Sequence, residues 1–171
     1  GKQAGDGMRK ELSAFSGGGF FELACHILDA AIHLLGKPTA VHGFNLRTRE
    51  KEDDDFADNQ LAVLQYEKAT ANLRCNHNDP FGFPRRRFNV AGTKGGMEIQ
   101  PLESGRFILN LDQDRGKYKK GAQTVEMKGG RSYVAEFIDL AKVIRGEKKF
   151  AWSYQHDFDV HETLLKICSM D

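Results

Sequence analysis

Apolar side chains fill residues 19–35, beginning Phe20, Phe21, Leu23, Ala24 and ending Ile32, Leu34, Leu35, with Gly36 and Pro38 as stop signals. A run apolar nearly all round predicts a buried helix. Residues 41–47 switch to a period of two, as a half-buried strand requires. Further strands are predicted over 60–66, 70–76, 87–91, 97–101, 106–111 and 123–127, separated by short polar turns. Helical periodicity returns over 132–145 and 154–170. Strands joined by tight turns without helices between them imply an antiparallel sheet, so the order helix, sheet, helix, helix reads as α+β.

The 171 residues suit one domain, assigned to 16–171. Residues 1–15 begin Gly1-Lys2-Gln3-Ala4-Gly5-Asp6-Gly7, Gly-rich and polar, and read as a linker or expression remnant plus the start of the domain.

Within the apolar helix, Glu22, His26, Asp29 and His33 fall at helical spacing. At about 100° per residue they form one polar stripe on a greasy helix, and burying such groups is costly unless they are paired or face water. Three readings compete. The stripe is the helix's solvent side or a satisfied His–Asp pair; it is a metal site supporting hydrolysis; or His26 is a general acid/base oriented by a carboxylate one turn away. The metal reading lacks a second ligand-bearing element such as HExxH.

Charge narrows the partners. Lys plus Arg number 25 against 24 Asp plus Glu, a net charge of +1, which offers no field for nucleic acid or an anionic membrane. The runs Asp53–Asp55 and Arg85–Arg87 read as solvated turns. Cys25, Cys75 and Cys168 have no CxxC spacing, consistent with a reducing cytoplasm. No signal peptide and no run of membrane-spanning length is visible.

Ser16-Gly17-Gly18-Gly19-Phe20-Phe21-Glu22-Leu23-Ala24-Cys25-His26-Ile27-Leu28-Asp29, running on to Gly36-Lys37-Pro38, resembles the Gly-rich turn and D-x-x-x-H helix of the glucose–fructose oxidoreductase, inositol dehydrogenase and MocA (Gfo/Idh/MocA) family. Val90-Ala91-Gly92-Thr93-Lys94-Gly95, Tyr133-Val134-Ala135-Glu136-Phe137-Ile138 and the stretch from His156 to Leu165 add to the resemblance in the right order. The resemblance implies a C-terminal domain built on a large, mostly antiparallel sheet with helices on one face, its open face forming a homo-oligomer. It implies a partner N-terminal Rossmann domain that binds NAD or NADP, and a sugar or polyol substrate. His26 is then the residue that takes the substrate hydroxyl proton, Glu22 its carboxylate helper where the family carries Asp, and Asp29 a further orienting residue.

No strand followed by GxGxxG opens a helix here, and no Lys-bearing EKP motif is present. Gly92-Thr93-Lys94-Gly95-Gly96 reads as a hairpin turn. The chain alone is therefore expected to bind no dinucleotide and no metal, and to be inactive as a dehydrogenase. A non-catalytic binding or assembly module of the same fold is the alternative. Asn76 and His77, closing a strand, are read as a hydrogen-bonded turn more readily than as polyol ligands. Trp152 and Tyr154 are read as packing on the sheet, and His156-Asp157 and His161-Glu162 as belonging to a helix start.

Overall fold

The structure, a computed structural model, describes residues 6–49, 54–127 and 133–170. In chain order these form α1 (Asp6–Ser13), a π-helical turn (Phe20–Ala24), α2 (Cys25–Leu35), β1 (Ala40–Leu46), β2 (Asn59–Gln65), β3 (Thr70–Asn76), a short 3-10 turn (Phe83–Arg85), β4 (Phe88–Gly92), β5 (Gly95–Ile99), β6 (Arg106–Leu111), β7 (Gly121–Glu126), α3 (Val134–Ile144) and α4 (Tyr154–Ile167). The fold is α+β, with every named strand pair antiparallel.

The strands form two hydrogen-bonded sheets, β1-β2-β3 and β4-β5-β6-β7. Pro80 and Pro84 lie in the segment that connects β3 to β4. The described residues divide into two compact units, one within 6–80 and 148–170, the other within 81–147.

The first unit holds α1, the π turn, α2, β1–β3 and α4. Its sheet turns Ala62 and Leu64 of β2 and Leu73 and Cys75 of β3 inward, onto Leu28, Ala31 and Ile32 of α2 and Leu164 and Ile167 of α4. Period-two alternation on the strands meets the 3.6-residue stripe of the helices, and that match closes the core. The last turn of α4 presses on β1 at Gly43, where a β-carbon would stand 2.1 Å from the Ile167 carbonyl oxygen. Asn45 Nδ2 donates to the same oxygen at 2.8 Å.

Within the stretch read as linker plus the start of the domain, Asp6–Ser13 form α1, anchored by Arg9, whose side chain is 1% exposed. Its guanidinium meets Asp54 at 2.5 Å and Asp58 at 2.8 Å, and lies over the Phe56 ring. Asp54 was expected in a solvated turn, yet it is buried against Arg9; Asp53 lies outside the described residues. A hydrogen bond from Arg9 holds the Asp54 carboxyl below its usual range. Burial would raise Asp58, but hydrogen bonds from Asn78, Arg9 and Thr48 outweigh it and keep that carboxyl low as well.

In the second unit β4–β7 form a meander whose β4–β5 hairpin turns at Gly92–Gly95, as read from the sequence. Register places Phe88, Val90, Met97, Ile99, Phe107, Leu109 and Val125 on one half-buried face. Asn89, Glu98, Asn110 and Thr124 alternate onto the other. On α3 the periodic residues Val134, Phe137, Ile138 and Ile144 are all exposed.

Candidate functional site

Three glycines shape the turn that leads into the apolar helix. Gly17 and Gly18 have φ of 97° and 60°, the left-handed region. Gly19 is right-handed at φ −66° and is required for a different reason, space. A β-carbon there would lie 2.4 Å from both Nδ1 and Cε1 of His77. The turn is held from below by Gln60, 1% exposed, which accepts from Phe20 N at 2.7 Å and donates to the Gly17 carbonyl at 3.1 Å.

The predicted single helix is two helices in series. The Cys25 N–H reaches back five residues to the Phe20 carbonyl, closing a π turn before α2 begins. Glu22 and His26 stand either side of this junction, and no hydrogen bond joins the two.

Each carboxylate of the stripe has a partner from another element. Glu22 Oε2 lies 3.2 Å from His77 Nε2, beyond the end of β3. Asp29 Oδ1 lies 2.6 Å from His156 Nε2 on α4. His33 packs edge-on to Trp152 with ring centroids 4.3 Å apart. His26 is exposed and makes no hydrogen bond or ion pair with the described residues, so its imidazole is open to a solute. Among the described residues no three His, Cys, Asp or Glu side chains converge to hold a metal ion, although the spacing had left that reading open.

Sequence reasoning had set His77 aside as turn and His156 as helix start. Asn76 does form the turn, its Oδ1 accepting from Asn78 N at 2.8 Å, but His77 points back to Glu22. Ser153 caps α4 by accepting from His156 N at 3.2 Å, which leaves the His156 ring free for Asp29. Trp152 and Tyr154 were expected on the sheet; they are 52% and 77% exposed, and Trp152 lies against His33 instead. The ties between elements that claim these residues are set by tertiary structure and leave no mark in local sequence.

Cys75 lies beside the site with its Sγ 3.6 Å from His77 Nδ1. Burial foremost, with the negative charge of Glu22 adding to it, pushes this thiol up to about 12. The arrangement Cys–His–Glu thus holds a proton donor and not a thiolate nucleophile. Of the sequence-predicted trio, the structure brings Glu22 and His26 to the start of the helix, and ties Asp29 to α4.

Residues 2–98 match the model of the GFO/IDH/MocA C-terminal domain. The chain belongs to that oxidoreductase family. No curated protein matches its sequence at a significant level. Solved structures share the fold at low identity. A protein of Bacillus subtilis assigned as an oxidoreductase, yvaA, matches with 21% identity and a TM-score of 0.65, covering 89% of this chain and 50% of its own. Levoglucosan dehydrogenase, solved with NADH and levoglucosan, matches with 18% identity and a TM-score of 0.66, over 87% of this chain and 45% of its own. A protein of Desulfitobacterium hafniense assigned as an NADPH-dependent oxidoreductase matches with 20% identity and a TM-score of 0.68, over 90% and 45% respectively. The chain thus spans about half the length of these structures. Among the described residues no helix is long and apolar enough to cross a membrane.

Proposed function

We propose that this chain is the substrate-side domain of an NAD(P)-dependent oxidoreductase acting on a sugar, polyol or related secondary alcohol, with His26 as the proton-transfer residue. The observation that carries the reading is the free, exposed imidazole of His26 seven residues beyond the last glycine of a glycine-rich turn, in a chain of this family. The levoglucosan dehydrogenase of the same fold supports a carbohydrate-like substrate and a nicotinamide.

The Gly92–Gly95 turn joins two strands and opens no helix, so it does not form the phosphate-binding turn of a dinucleotide site. A nicotinamide, held by a Rossmann domain, would supply the hydride acceptor. His26 takes the hydroxyl proton of the secondary alcohol as the carbinol hydrogen leaves with its electron pair, and a ketone remains. Glu22 supports this site electrostatically, and Asp29 fixes the helix that carries it.

The domain also assembles with a second copy through its sheet. Phe44 and Leu46 stand 55% and 57% exposed on the outer face of β1, with Leu61 paired opposite Phe44, and this supports that part of the reading. A binding or assembly module without catalysis is the second reading, favoured by one observation: the Glu22 carboxylate is bonded to His77 and not to His26.

The test is oxidation of D-glucose, myo-inositol and levoglucosan by the complete gene product with NAD+ and NADP+. Turnover lost in His26→Ala is expected. An absence of turnover, with a gene that encodes no Rossmann half, would favour the assembly reading.

A further inference from the structure

His77 is fixed more tightly than a turn residue needs to be. Its ring occupies the space left by the missing side chain of Gly19. Phe56 meets it edge-on, with centroids 5.1 Å apart, and its backbone N–H donates to the Asp58 carbonyl at 2.8 Å. Its side chain is 12% exposed, while that of its partner Glu22 is 42% exposed.

The proton inventory is informative. A carboxylate only accepts, so Nε2 must carry a hydrogen to meet Glu22. In the neutral ring Nδ1 is then a lone pair, which the Cys75 thiol can fill at 3.6 Å. In the imidazolium Nδ1–H donates to that sulfur, and the thiol hydrogen turns to the Gly19 carbonyl at 3.3 Å. Both ring nitrogens of His77 keep a partner in either proton arrangement. The thiol can play both parts because it stays protonated, its value pushed up to about 12.

We infer that His77 is the positioning residue for Glu22, holding its carboxylate in one rotamer beside the helix that bears His26. A free Glu side chain, one methylene longer than Asp, would sample several rotamers and lose part of its effect on His26 to entropy. His77 acts through Glu22 and touches no substrate. The inference rests on the reading of His26 as the proton-transfer residue.

The test is a double-mutant cycle in the complete gene product, read on the best of the three alcohols named above. His77→Phe is expected to lower kcat about tenfold, the rate equivalent of one hydrogen bond to a charged group, with KM changed less than about twofold. His77→Gln, which keeps an N–H donor, is expected to restore most of that loss. In a Glu22→Ala background His77→Phe is expected to add nothing. Additive losses, or no rescue by glutamine, would overturn the inference while leaving His26 in its role. An indifferent His26→Ala would sink the underlying reading instead, and the inference with it.

Discussion

The imidazole of His77 lies against the bare Cα of Gly19, so near that a β-carbon there would meet its Nδ1 and Cε1 at 2.4 Å. Gly19 has an ordinary right-handed backbone, which any residue tolerates. The glycine is therefore kept by contact and not by conformation. Gly19→Ala should force the ring aside, break its bond to Glu22, and destabilise the chain by about 1–3 kcal/mol, as overpacking does. Gly7, helical in α1 with nothing within 4 Å of an added β-carbon, serves as the control. Gly7→Ala should be neutral or stabilise by less than about 1 kcal/mol. Thermal unfolding of the two variants checks the contrast.

Arg9 should be among the costliest side chains to remove. Its two carboxylate partners, Asp54 and Asp58, are 6% and 0% exposed and would be left as buried charges. Arg9→Ala should cost about 3–5 kcal/mol by urea unfolding. Asp58 also supplies the carbonyl that holds His77 N, so the loss should spread to the candidate site.

The same pair sets an acid limit. Folding lowers the values of Asp54 and Asp58 from 3.8. Their stabilising contribution is thus complete above that pH and is lost as pH falls through the lowered values. Stability measured from neutral pH downward should drop in that acid window, and the drop should shrink in Arg9→Ala.

The strands were legible because alternation with period two is a local signal: β3 and β6 have the predicted bounds, and β1 and β2 begin one residue early. The first helix was legible as apolar but not as a π turn followed by α2, since a period-based reading assumes one rise and one angle throughout. The His77 partner of Glu22 was hidden because it lies 55 residues along the chain, beyond the end of β3. Helix α1 was hidden for another reason. Its anchor, Arg9 on Asp54 and Asp58, joins residues 45 apart in the case of Asp54, and an Arg in a polar stretch looks the same whether it ends in water or in a buried pair.

The thiols give a chemical check on burial. Burial pushes Cys75 up to about 12 and Cys168 up to about 11. Iodoacetamide at about pH 8 should leave both unmodified in the folded chain, and alkylate both in denaturant, because the thiolate is the reacting species. Peptide mass spectrometry distinguishes the sites.

The most direct measurement is the steady-state oxidation of the secondary alcohol by the complete gene product, wild type against His26→Ala, with nicotinamide reduction as the signal. Proton transfer by His26 predicts that kcat falls at least about a hundredfold. Equal rates in the two proteins would contradict the assignment of this helix as the chemical face of the domain.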